Sequence, residues 1–181
     1  MKILEKLQKR LQEGKKDNKG FSLVELIIVI AIMAILVGIV GTQVIPYIES
    51  SRKAKDIQVL SGFLTDAMSA YSSSAADLNG NAVYTITVTI GAGGAATVGV
   101  TGTPADTAGS DKLRAKFDEY NNLETVTAGA SGNTYAAGSQ TIKLASKPGG
   151  ALTSFTITCN DPTKGHLFIL EATGFDDITS N

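Results

Sequence analysis

The group most in need of a chemical explanation is Glu25, a carboxylate at the head of an apolar run with no other charged residue from Leu26 to Ile48. In lipid such a group costs about 3 kcal/mol even on insertion scales, so it normally has a partner or a function. The nearest cations by sequence are Lys19 and any amine created by cutting the chain after Gly20. Other reactive groups are scarce. Cys159 is the sole cysteine, which forbids an intramolecular disulfide and removes CxxC chemistry. His166 is the sole histidine and reads as a strand-edge residue; a multi-His metal site is excluded. Asn160, Asp161, Asp176 and Asp177 offer oxygen ligands for calcium but lack EF-hand spacing. Gly91-Ala92-Gly93-Gly94 lacks the Lys-Ser/Thr ending of a phosphate loop. No catalytic residue, metal site or cofactor is expected.

The elements around Glu25 follow from composition and charge. At 181 residues, 43% hydrophobic and 18% charged, the chain has room for one globular domain with an appendage. Residues 1–20 carry seven Lys/Arg against three Asp/Glu, a net +4, whereas residues 21–181 are net -5. A basic start followed by a long apolar run is the charge pattern of a segment held on the cytoplasmic side of a membrane. An acidic remainder argues against nucleic-acid binding. Ile3, Leu4, Leu7 and Leu11 recur at helical spacing and predict a short amphipathic helix, followed by a polar tether over 14–20. The twenty residues from Phe21 to Val40 span about 30 Å as a helix, enough to cross a bilayer once. An ordinary secretory signal would place its apolar region before the cleavage site rather than after it.

The run Lys19-Gly20-Phe21-Ser22-Leu23-Val24-Glu25, continuing Leu26-Ile27-Ile28-Val29-Ile30-Ala31-Ile32, resembles the cleavage and helix motif of type IV pilins and pseudopilins. The resemblance covers about residues 19–71. It implies a leader, 1–20, removed by a prepilin peptidase after Gly20, and N-methylation of Phe21. Glu25 becomes the fifth mature residue and meets the N-terminal amine of a neighbouring subunit during assembly. It further implies a homo-oligomeric helical filament built by an assembly platform and motor. The subunit would sit in the cytoplasmic membrane before assembly and on the cell surface as an extracellular pilus afterwards. Low dielectric among packed apolar helices supports the pairing, since a lone carboxylate there is penalised and one beside an ammonium is compensated. Gly38, Gly41 and Pro46 weaken the helix, by about 1 kcal/mol for each glycine and roughly 3 for the proline. They predict either a kink or close packing, or a segment that extends under load, as the resemblance implies.

Past Pro46 the pattern becomes amphipathic. Ile57, Leu60, Leu64, Ala67 and Tyr71 form one apolar stripe, so a helix over 47–71 carries 21–46 into a globular domain over 72–181. Val83–Ile90 alternates and is rich in β-branched residues, predicting a strand. Residues 91–110 read as an exposed loop or hairpin with a short strand at Thr97–Thr101, and Ser110 as the cap of a helix over Asp111–Asn122. Thr141–Ser146, Leu152–Thr158 and His166–Ala172 predict an antiparallel meander, turned at Lys147-Pro148-Gly149-Gly150 and over Cys159–Gly165. The expected class is α+β, a long N-terminal helix packed on a C-terminal antiparallel sheet.

Overall fold

A computed structural model describes Glu5, Lys6, Gln8 and residues 20–129, 132–138 and 140–180. The stripe Ile3, Leu4, Leu7 and Leu11 lies outside the described residues. The chain divides into two compact units, Met1–Pro46 and Tyr47–Asn181. Helix α1, Leu23–Ser74, is 52 residues long and is the one described helix long and apolar enough to cross a membrane.

In the first unit every large apolar side chain of α1 is exposed, from Leu23 at 73% to Val44 at 41%. In the second unit one stripe is buried. Leu60, Leu64, Ala67 and Ala70 enter the core, with Ile57 and Tyr71 half-buried beside them. The predicted stripe is therefore the one that packs, and the helix continues three residues beyond the expected end at 71.

The stripe packs against an antiparallel sheet in the order β2-β1-β5-β6-β7. Its strands are β1 Val83–Ile90, β2 Ala96–Thr103, β5 Ser154–Asp161, β6 His166–Ala172 and β7 Ile178–Ser180. Alternation puts Tyr84, Ile86 and Val88 of β1 opposite Cys159, Ile157 and Phe155 of β5, all in the core. Aromatic contacts knit helix to sheet: Phe63 with Phe155 at 5.3 Å and Tyr71 with Phe168 at 5.5 Å between ring centroids. Burial pushes the Cys159 thiol up to about 12, which leaves it an inert apolar filler.

Helix α2, Thr107–Asn121, follows β2. Its cap is Asp106, whose Oδ1 accepts from the Gly109 amide at 3.0 Å, and not Ser110, which already lies inside the first turn. The same carboxylate accepts the Tyr84 hydroxyl, so capping and core closure share one group. A hairpin absent from the sequence expectation, β3 Glu124–Gly129 and β4 Gly132–Ala137, lies beyond α2. It brings fully buried Glu124 to the outer edge of β2, where its Oε1 accepts the Val98 amide at 2.8 Å. Arg114 grips the same carboxylate through Nε and Nη2 at 2.9 and 2.8 Å and lies 3.4 Å over the Tyr135 ring. A bidentate pair thereby satisfies a buried charge and an amide on the edge strand together.

Three further expectations are corrected. Thr141–Ser146 is not a strand: only Thr141 bridges, to Ala95, and the chain then turns to α1. Lys147-Pro148-Gly149-Gly150 is not a hairpin turn but most of the short helix α3, Lys147–Ala151, capped by Ser146 with Pro148 in its first turn. Strand β5 runs to Asp161, so the turn before β6 covers only 162–165.

The reason for the first two corrections is Asp56, a buried carboxylate on α1. Asp56 accepts the amide of Ala145 at 2.9 Å, the amide of Ser146 at 2.8 Å and the Ser146 hydroxyl at 2.5 Å. Glu49, two turns earlier on the same face, accepts the Lys147 amide. The backbone donors a strand would direct sideways are thus consumed by the helix. Gly149 allows this approach, since a Cβ there would lie 2.3 Å from Asp56 Oδ2. Burial opposes the charge of Asp56, but the Ser146 hydroxyl, the two amides and Lys55 hold its carboxyl below the ordinary value.

Candidate assembly site

Gly20 and Phe21 precede α1 outside regular structure. A Cβ at Gly20 would meet nothing within 4 Å, and Phe21 is 87% exposed. Among the described residues nothing covers the junction.

Ser22 opens the helix. Its Oγ accepts from the Val24 amide at 3.3 Å, while Glu25 Oε2 reaches back to the Ser22 amide at 3.0 Å. This Ser-x-x-Glu arrangement is a capping box, in which two amides left without helical partners are satisfied reciprocally. The negative charge also sits on the positive end of the helix dipole. Sequence reasoning missed Ser22, although Ser22-Leu23-Val24-Glu25 ahead of an apolar run was a legible signal for it. The box holds the carboxylate on the amide next to the Phe21 nitrogen, the atom that a cut after Gly20 would turn into an amine.

Farther along, α1 passes unbroken through Gly38, Gly41 and Pro46, so the expected interruption is not a break in the helix of this chain. Neither glycine has a neighbour within 4 Å of its Cβ position, so no close packing within the chain requires them. Pro46 has no amide to offer the Thr42 carbonyl one turn back. Thr42, also missed in the sequence, turns its hydroxyl to the Ile39 carbonyl at 3.0 Å, a contact that loosens helices. Gly38, Gly41, Thr42 and Pro46, each a poor helix former, thus fall within one short stretch of a helix that is nonetheless unbroken.

The other candidate groups are structural. Asn160, at φ 61°, donates to the carbonyls of Gly80 and Ala82. Asp161 accepts from Thr163 in a local turn, and its carboxyl is held low by the Thr163 hydroxyl and amide. Among the described residues no three His, Cys, Asp or Glu side chains are grouped to hold a metal ion. His166 opens β6 opposite Asp161. Gly91–Gly94 forms a tight 3-10 turn packed so closely on Ile142 that a Cβ at Gly94 would lie 2.5 Å from its carbonyl oxygen.

Residues 15–41 match the family model described as the prokaryotic N-terminal methylation motif, which contains the junction, Ser22, Glu25 and both helix glycines. No curated protein and no solved structure matches the chain. The motif is the prepilin signal, and here it leads into a long apolar helix and a helix-on-sheet domain. The chain accordingly carries, over residues 15–41, the signal motif found in type IV pilins and pseudopilins.

Proposed function

We propose that this protein is a structural subunit, the major one, of a type IV pilus. Prepilin peptidase removes residues 1–20, Phe21 is methylated, and Glu25 then meets the new amine of a neighbouring subunit as the apolar half of α1 packs into a filament core. The observation that carries this reading is the position of Glu25, the single charge in the first turn of a helix whose large apolar side chains are exposed throughout its first half. A simple membrane anchor accounts for the length of that helix but not for the carboxylate. Pairing also fixes axial register, because among featureless apolar helices one ionic contact per subunit disfavours every other offset.

In this reading the weak segment around Gly38, Gly41, Thr42 and Pro46 gives up helical hydrogen bonds in the filament and extends under load. The alternative within the same family is a minor pilin or a pseudopilin of a secretion or DNA-uptake machine. Mass spectrometry of the mature chain tests the processing step: the expected N-terminus is methylated Phe21, and an intact Met1 overturns the scheme. Electron microscopy of sheared appendages, with identification of their dominant protein, tests the major-subunit assignment. Finding this chain only as a trace component rejects that assignment.

A further inference from the structure

The connection between α1 and β1 contains Asn79-Gly80, the one Asn-Gly pair in the chain. It opens a tight turn over 79–82, closed by the Ala82 amide, which donates to the Asn79 carbonyl at 2.9 Å. Within that turn the Asn81 amide donates to Asn79 Oδ1 at 3.0 Å, which folds the side chain back over its own backbone. The turn is anchored to β5, where Asn160 Nδ2 donates to the Gly80 carbonyl at 3.2 Å. Residues 79–81 are exposed, and a Cβ at Gly80 would meet nothing within 4 Å. Among the described residues no hydrogen bond engages the Gly80 amide.

The first two contacts fall on the two oxygens that gain charge when the Gly80 nitrogen attacks the Asn79 side-chain amide. Attack requires the Gly80 N–H to lose its proton, and the charge left behind spreads onto the Asn79 carbonyl oxygen, where the Ala82 amide stabilises it. As the N–Cγ bond forms, negative charge collects on Oδ1, where the Asn81 amide is already in place as an oxyanion donor. Glycine at 80 leaves the nucleophile without a side chain beside it.

We propose that Asn79 is a self-modification site, converted to aspartate and isoaspartate by the turn that holds it. The Gly80 nitrogen gives its proton to solvent and bonds to Cγ. The Cγ–Nδ2 bond then breaks, Nδ2 leaves as ammonia with a proton from solvent, and a succinimide ring remains. Water opens either of the two ring carbonyls, so the net reaction consumes one water and releases one ammonia, with no oxidant or cofactor.

The site is coupled to the rest of the domain. The Asn79 main-chain amide donates to the Tyr84 hydroxyl at 2.8 Å and to Asp106 Oδ2 at 3.2 Å, the carboxylate that caps α2. A new carboxylate at 79 repels Asp106, and the isoaspartyl form also lengthens the backbone between that amide and Gly80. Age therefore adds one negative charge per chain and loosens the joint of α1, β1 and α2.

The test incubates the detergent-solubilised full chain at mildly alkaline pH in heavy-oxygen water, beside a synthetic peptide of residues 72–84. Cleavage after Tyr71 and Tyr84, followed by tandem mass spectrometry, reads residue 79 in both. Each donor is worth about fivefold in rate, so the two together favour the folded chain by up to about 25-fold over the peptide. The expected result is heavy-oxygen aspartate and isoaspartate at 79, with Asn81 and Asn160 intact. Conversion should be slower in G80A, whose Cβ crowds the nucleophile but fits the fold. A folded chain that converts no faster than the peptide overturns the proposal. So does aspartate without isoaspartate, the mark of direct hydrolysis, or an unchanged rate in G80A.

Discussion

The two halves of α1 are built from the same periodic backbone and solve opposite problems. From Leu23 to Ile48 large apolar side chains project in all directions and none is buried, whereas from Glu49 to Ser74 one stripe is buried and Val59 is the one large apolar side chain left exposed. Each half also holds a carboxylate at a strategic point. Asp56 is 1% exposed and has three protein donors, while Glu25 is exposed and, among the described residues, accepts a single amide of its own first turn. The second half is complete within one chain. Among the described residues, the first has apolar surface that is not buried and a charge with spare hydrogen-bonding capacity.

The largest effect expected from breaking this contrast is on assembly. Replacing Glu25 with Ala should leave the chain in the membrane fraction at normal level and reduce sheared filaments more than tenfold, read by immunoblot of the two fractions; a carboxylate pairing desolvated by packing is worth at least the ~1.4 kcal/mol that a tenfold loss requires. Normal piliation in that variant refutes the pairing.

In the second half the largest stability loss should come from Glu124→Ala. It strands the Arg114 guanidinium and the Val98 amide, and removing one partner of a buried pair costs about 3–5 kcal/mol. Thermal unfolding of the detergent-solubilised full chain, followed by circular dichroism, should show a drop of roughly 6–20 °C at roughly 2–4 °C per kcal/mol. Asp56→Ala follows at about 2–3 kcal/mol, because two amides and a hydroxyl lose their acceptor.

Asp56 also sets a pH dependence. Its folded pKa lies below the unfolded one, so its contribution is fully present above the unfolded value near 3.8 and is lost as pH falls through the lowered folded value. The native chain should therefore lose more stability than Asp56→Ala between about pH 4 and pH 2, and parallel curves for the two would show that the carboxylate contributes nothing.

The same contrast explains what the sequence made legible. The apolar stripe from Ile57 to Tyr71 and strand β1 follow from periodicity, because each buries one face. The segment 141–151 did not, because its path is set by Asp56 and Glu49, 89 to 98 residues away in sequence. Local preference there favoured a strand and a turn, and distant carboxylates won. Asp106 was missed as a cap for a related reason. Helix α2 begins in Thr107-Ala108-Gly109-Ser110, where all but Ala108 are weak helix formers and a Gly/Ala/Thr-rich stretch precedes, so the start appeared four residues late. The junction and Glu25 stand out in sequence because they lie in a short linear motif, the methylation motif over residues 15–41, yet the Ser22 cap within it was overlooked.

That cap supplies the smallest and most discriminating prediction. Ser22→Ala removes the acceptor for the Val24 amide, a loss of about 1 kcal/mol confined to the first turn. Glu25→Gln does the converse, since glutamine still serves at the third position of a capping box but carries no charge. If Glu25 matters chiefly as a cap, Gln should assemble and S22A should be partly defective. If it matters as the charge that meets a neighbour's amine, Gln should fail about as badly as Ala, while S22A assembles at close to native yield. Filament yield from the three variants, compared at equal membrane levels, decides between a helix that needs its own first turn and one that needs another subunit.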